Sequence, residues 1–266
     1  MELAYTTPHF PLQVPQTYKD LYPGIVDENR KTYLGMVSSL DYNVGRVVKT
    51  LKRTGLMKNT IIIFISDNGG DYDYGASNYP LTGNKGSLYE GGSKAINFVY
   101  SPKYLKFPGC THRGITHVVD WFSTILDMAG HNQGRPSGLD SRSQWPFIQQ
   151  CRGSARNEFV YNIDDITNTA AIRIANYKLI QGDPRVFIGV LPNMTAADPT
   201  SNRLRLFNLK DDPKEKQDLA FSRLCTVHWM FSRLNFYRKF SVPDQNQPIL
   251  SPSLTAPNNI LQLGWC

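Results

Sequence analysis

Two hydrophobic periods alternate along the chain. From about residue 27, Tyr33, Met36, Val37, Leu40, Val44, Val47, Val48 and Leu51 recur at three- and four-residue steps, with Arg30, Lys31, Lys49 and Arg53 between them. This spacing predicts an amphipathic helix, which Gly55 would close. Ile61-Ile62-Ile63-Phe64-Ile65 follows without polar alternation and predicts a short strand buried on both faces. A second apolar strand is expected over 95–100. Asp120 is a good N-cap for a helix through Trp121, Ile125, Leu126 and Ala129, ended by Gly130. Leu3-Ala4-Tyr5-Thr6 reads as a short strand near the start.

The pattern changes near Arg152. Phe159-Val160-Tyr161, Ala170-Ala171-Ile172-Arg173-Ile174, Tyr177-Lys178-Leu179-Ile180 and Leu204-Arg205-Leu206-Phe207 are short strand candidates separated by turns. They predict a small antiparallel sheet, with a helix over 225–240 packed on it. The organisation expected is therefore an α/β region over 1–151 and a smaller α+β region with a tail over 152–266. Residues after Val242 are rich in Pro, Asn and Gln and read as extended.

Composition changes this picture little. The 266 residues are 41% hydrophobic and 19% charged, ordinary for a globular protein with a real core. No apolar run reaches the length of a membrane span. The first residues lack the basic and apolar regions of a signal peptide. The net charge of +7 is dispersed, whereas a nucleic-acid binder would concentrate basic residues on one stripe. Cys110, Cys151, Cys225 and Cys266 form no CxxC pair, which argues against a zinc site. Their disulfide pairing is not readable from spacing. Asn193-Met194-Thr195 is an acceptable N-glycosylation sequon.

The candidate chemistry lies just after the first buried strand, in Ser66-Asp67-Asn68-Gly69-Gly70. In open α/β sheets the ligand crevice lies beyond the carboxyl ends of the strands. Asp67 and Asn68 offer hard oxygen donors suited to Ca²⁺ or Mg²⁺. Gly69-Gly70 would let the backbone turn sharply and approach a bound group closely. Taken alone, this run reads better as a plain turn.

More motifs follow in order: Pro80-Leu81-Thr82-Gly83-Asn84-Lys85, then Tyr89-Glu90-Gly91-Gly92-Ser93-Lys94. Upstream stands His9-Phe10-Pro11-Leu12-Gln13-Val14-Pro15, and downstream Ala171-Ile172-Arg173 with Tyr177-Lys178-Leu179, then Leu206-Phe207 through Asp212-Pro213-Lys214-Glu215. Together they resemble the sulfatase family, and within it the arylsulfatase B (N-acetylgalactosamine-4-sulfatase) type. The resemblance covers most of the chain.

It implies an alkaline-phosphatase-like fold: a mixed, mostly parallel sheet with flanking helices, incomplete at its N-terminal side, plus a small C-terminal antiparallel sheet with a helix. It implies hydrolysis of sulfate esters, a sulfated small-molecule or glycosaminoglycan substrate, and a lysosomal or secreted location. Carried over residue by residue, Asp67 and Asn68 match two ligands of a Ca²⁺ ion. Lys85 matches a sulfate-binding lysine, and His9 a histidine in the sulfate pocket; both are taken as catalytic and substrate-binding. Glu90 and Lys94 are expected to support the loop, while His112, His117 and His131 are expected to be structural.

The family's nucleophile is a formylglycine made in Cys/Ser-x-Pro-Ser-Arg, and no Cys or Ser here stands in that motif: Cys110 precedes Thr-His-Arg and Cys151 precedes Arg-Gly-Ser. The early Asp-Asp metal pair of the family is also absent from the sequence. The chain is therefore expected to correspond to the C-terminal part of a sulfatase and not to turn over sulfate esters alone. Missing strands should leave exposed sheet edges that favour self-association. The alternative is a non-catalytic, sulfatase-derived binding protein.

Overall fold

A computed structural model of the chain describes residues 1–131, 138–184 and 202–242. The sequon at Asn193, Cys266 and the Pro-rich tail lie outside the described residues.

The first region opens with a short helix α1 (Gln16–Lys19) and the long helix α2 (Glu28–Arg53). Asp27 caps α2, its carboxylate accepting from the Arg30 N–H at 2.6 Å, and Gly55 follows in the left-handed conformation at φ 74°. These are the boundaries that the apolar period and its capping residues imply. Strand β1 (Ile62–Ile65) then pairs antiparallel with β2 (Asn97–Tyr100), Ile62 opposite Tyr100 and Ile65 opposite Asn97. Between them a four-residue helix, α3 (Glu90–Ser93), carries the Glu-Gly-Gly segment.

Two expectations need correction here. The run at 61–65 is not buried on both faces: Ile65 is 43% exposed, and Phe98 on its partner is 47% exposed. The mixed α/β fold expected is borne out, the sheet of this region being represented among the described residues by one antiparallel pair. A β-branched run forms a strand wherever a partner exists, but only a second layer can bury its faces. Residues 3–6 form no strand and are exposed, with no neighbouring strand to pair them.

Helices α4 (Asp120–Met128) and α5 (Trp145–Gln150) follow. Asp120 does not cap α4 as expected; Val119 occupies that position. Instead its buried carboxylate gathers Arg156 through both Nε (3.0 Å) and Nη2 (2.5 Å). It also accepts from the His117 and Arg142 backbone N–H groups and from Gln144. Such bidentate pairing with further donors is what an internal carboxylate requires. Cys110 and Cys151 form a disulfide and Cys225 is free and exposed, a pairing the spacing left open. His112 Nε2 donates to Gly153 O at 2.9 Å, and His117 packs on Phe159 at 5.1 Å between ring centroids.

The second sheet runs β3-β4-β5-β6, all antiparallel: β3 (Glu158–Asp164), β4 (Thr169–Ile174), β5 (Tyr177–Gln181) and β6 (Leu204–Asn208). Helix α6 (Leu224–Arg238) covers one face, with Val227, Met230 and Leu234 against Ile172, Leu179 and Leu206. The opposite face packs Ile180 and Phe207 against Leu88 and Tyr89 of the first region. Burial on both faces leaves Ile172, Leu179 and Ile180 of β4 and β5 fully buried.

Candidate sulfate-binding site

The site is built from three loops stacked backbone on backbone. After β1, the Ser66 N–H donates to Ile96 O and Ser66 Oγ accepts from the Ile96 N–H, each at 2.9 Å. This aligns the 66–70 loop with the segment entering β2. The Gly69 N–H then donates to Gly92 O at 2.9 Å, the Gly91 N–H to Thr82 O at 2.7 Å, and the Lys85 N–H to Gly70 O at 3.1 Å. These three bonds tie the Asp67 loop, the Lys85 loop and α3 into one unit.

The glycines serve that stacking. A Cβ on Gly69 would lie 1.7 Å from Gly91 O, and one on Gly92 would lie 2.3 Å from Asn84 O. Gly69 and Gly70 do not adopt positive φ. Their role is close approach to protein backbone, where the sequence suggested a sharp turn beside a bound group. Asn78 completes the cradle, accepting from the Gly70 N–H at 2.7 Å and donating to Gly70 O at 2.9 Å and Gly83 O at 3.1 Å. Asn84 accepts from the Tyr72 N–H and donates to Asp71. No local pattern singles out Asn78, whose partners are eight and five residues away.

Lys85 Nζ lies 3.0 Å from His9 Nε2, while His9 Nδ1 lies 2.8 Å from Phe10 O. The structure thus brings together two of the four sequence-derived site residues, 76 positions apart in the chain. Phe10 stacks on Tyr74 with centroids 4.8 Å apart and planes at 15°, which docks the histidine segment on the 72–74 turn. Aromatic stacking between segments so distant in sequence has no local signature.

Asp67 and Asn68 are linked to this pair through their loop, whose Gly70 O accepts from the Lys85 N–H, and make no direct bond to it among the described residues. Asp67 Oδ1 accepts from the Asn68 N–H at 2.8 Å, and Asn68 Nδ2 donates to Gly69 O at 2.7 Å. The Asn68 amide oxygen and the second Asp67 oxygen make no hydrogen bond to another side chain among the described residues. Asp67 is exposed and Asn68 half-buried. These two side chains are hard donors, yet Ca²⁺ takes about six to eight oxygens. No group of three or more His, Cys, Asp or Glu side chains able to hold a metal occurs among the described residues. The donors among the described residues do not by themselves complete a cation site.

Lys85 has no carboxylate within ion-pairing distance among the described residues. A half-buried ammonium beside an imidazole, lacking a counter-charge, is an arrangement suited to an anion with several oxygen acceptors.

Residues 1–131 match the sulfatase family. The chain belongs to that family. Mouse arylsulfatase J is 34% identical over 276 residues, an alignment covering 92% of this chain and 46% of the relative. Human N-acetylgalactosamine-6-sulfatase is 24% identical over 258 residues, covering 90% of this chain and 48% of the relative. Among solved structures, Ps i-CgsB in complex with k-i-k-neocarrahexaose superposes with a TM-score of 0.74 at 29% identity, over 88% of this chain and 49% of that one. This sulfatase-family chain spans about half the length of the curated relatives it matches.

Proposed function

We propose that this chain carries the sulfate-recognising part of a sulfate ester hydrolase. The observation that carries this reading is the Lys85–His9 pair at 3.0 Å, with no carboxylate to neutralise the lysine among the described residues. Lys85 donates to sulfate oxygens as a point charge. His9 hydrogen-bonds the same group when protonated, and can exchange a proton with the ester oxygen when the bond to sulfur breaks. Asp67 and Asn68 would be two oxygen ligands of a Ca²⁺ ion whose other ligands the described residues do not supply; such an ion, when bound, would supply positive charge.

The substrate class we favour is a sulfated sugar. The Ps i-CgsB structure contains a carbohydrate ligand, and the human relative's name specifies an N-acetylgalactosamine sulfate. Within the family, the His9 to Pro15 motif supports the arylsulfatase B type and hence glycosaminoglycan substrates. The Cys110–Cys151 disulfide supports an oxidising compartment, in keeping with a lysosomal or secreted location. Among the described residues, no helix is long and apolar enough to cross a membrane. The unpaired edges and apolar face of β1 and β2 support self-association.

Because Cys/Ser-x-Pro-Ser-Arg is absent, the chain alone binds sulfate without hydrolysing its esters. Inorganic sulfate should therefore raise the melting temperature of the wild type. Lys85→Ala should remove that shift, and His9→Ala should reduce it. An equal shift in wild type and Lys85→Ala would refute the reading. The same missing motif favours a second reading, a non-catalytic binding protein. Supplying the remaining half of a related sulfatase separates the two: release of sulfate from an aryl sulfate supports the hydrolase, and binding without release supports the non-catalytic protein.

A further inference from the structure

Three motifs that supply no chemistry of their own meet at one buried point. Lys178 of β5 is fully buried, with its Nζ 3.0 Å from Glu90 Oε1 and 2.9 Å from Glu215 Oε1. Only the first contact has hydrogen-bond angles; Glu215 Oε1 is left with an ion-pair contact off axis. Tyr161 of β3 donates its hydroxyl to Glu90 Oε1 at 2.6 Å and lays its ring 4.3 Å from the ammonium. The Glu90 N–H donates to Glu215 Oε2 at 2.6 Å. One residue earlier, Lys214 O accepts from Thr82 Oγ1 at 2.6 Å. The 214–215 turn therefore holds the first region at two points, on either side of Lys85.

The turn is shaped for this. Glu215 adopts φ 54°, a left-handed conformation that side-chain-bearing residues seldom take. That conformation accompanies a carboxylate directed into the interior instead of into water. One buried ammonium faces two carboxylates, and they divide its stabilisation unequally. Burial pushes both carboxyls up. For Glu90 the Lys178 charge and the Tyr161 hydroxyl outweigh it and the carboxyl is lowered, whereas for Glu215 burial prevails and the carboxyl is raised. A plain structural ion pair needs no second acid.

We infer that Glu215 and Lys178 are positioning residues for the sulfate-binding loops: they fix Glu90, while Lys214 O of the same turn fixes Thr82, and through these the lysine loop and the Asp67 loop. The path is continuous. Glu90 begins α3, whose Gly91 N–H holds Thr82 O and whose Gly92 O receives the Gly69 N–H; Gly70 O in turn receives the Lys85 N–H. This inference rests on the reading of Lys85 as an anion-binding residue, but the loop coupling is measurable separately from it.

The test is amide hydrogen exchange on the full chain, comparing wild type, Glu215→Ala, Glu215→Gln and the control Glu158→Ala. Glu215→Ala should speed exchange at Gly69, Lys85 and Gly91 by about tenfold or more. Ile172 and Leu179, in the centre of the second sheet, should change less. Glu215→Gln keeps an oxygen that can accept from the Glu90 N–H and should restore most of the protection. Glu158→Ala, which breaks a pair between β3 and Arg233 of α6, should leave the three amides unchanged. Uniform acceleration across all amides in Glu215→Ala, or unchanged protection at the three, would overturn the inference. Should Glu215→Ala not fold, Thr82→Val removes the second anchor alone and is expected to accelerate Lys85 and Gly91 selectively; no such acceleration would equally overturn it. Sulfate-induced stabilisation of the same proteins reports on the functional reading. Loss of loop protection without any Lys85-dependent sulfate effect in the wild type would retain the coupling and reject the anion site.

Discussion

The two sheets are written in the same alphabet and have opposite fates. β1 and β4 are both short strands carrying β-branched isoleucines, yet Ile172 is 0% exposed in β4 while Ile65 is 43% exposed in β1. The second sheet has α6 on one face and the 88–89 segment on the other. The first has two strands, two edges, and apolar rings such as the stacked Phe64 and Phe98 on its surface. Hydrophobicity specifies the strand; burial requires a neighbour. The candidate site, moreover, hangs on the less buried sheet and is secured from the better one through Glu90, Thr82, Lys178 and the 214–215 turn.

That contrast can be broken most severely at the junction itself. Lys178→Met should destabilise the fold by about 3–5 kcal/mol in urea titrations, since it leaves two carboxylates facing each other in the interior. Core truncation comes next and should be asymmetric. Leu234→Ala, fully buried under the second sheet, is expected to lose about 2–5 kcal/mol. Phe98→Ala, half-exposed on the first, should lose about 1 kcal/mol or less. Equal losses would mean that the two sheets are equally buried in solution.

Reducing the Cys110–Cys151 disulfide, which spans 41 residues, should lower stability by about 2–4 kcal/mol, read as a lower melting temperature with reductant. A proton-linked effect is expected at Asp120. Burial raises its carboxyl, but Arg156 and the donors from His117 and Gln144 outweigh that and hold it below its ordinary 3.8. A carboxyl lowered by folding contributes stability above pH 3.8 that is lost as pH falls through the lowered value. Over that acid window the wild type should lose up to about 1.4 kcal/mol per pH unit from this group. Asp120→Asn should be less stable at neutral pH yet show a shallower acid slope. The smallest effect on stability, and the sharpest on association, belongs to Phe98→Ser. It should change folding free energy by about 1 kcal/mol or less while reducing concentration-dependent light scattering, if the exposed face of β1–β2 drives self-association.

Much of this was legible in the chain. The boundaries of α2 follow from its apolar period, Asp27 and Gly55, because capping and periodicity are local. The four strands of the second sheet and α6 follow from short β-rich runs and the helix-like segment after Leu224. The order of motifs around Asp67, Lys85 and Glu90 identified the family and drew attention to His9. Other features were invisible for a common reason. Asn78 as the brace of Gly70, Phe10 stacking on Tyr74 and the Cys110–Cys151 pairing all depend on contacts between segments whose separation carries no periodic signal.

The linear sequence determined which segments become helices and strands, since that is decided by propensity, caps and side-chain period within a few residues. It also determined, through Gly69 and Gly92, that the site loops could pack backbone against backbone. Only the tertiary structure decided what those glycines approach: protein carbonyls 1.7 Å and 2.3 Å from where a Cβ would stand. It likewise decided that Glu215, within a run of mixed charge that reads as solvated surface, turns inward to share a buried lysine with Glu90. The reason is physical. A charge is surface or interior only by reference to the groups that surround it, and here those groups arrive from residues 90, 161 and 178.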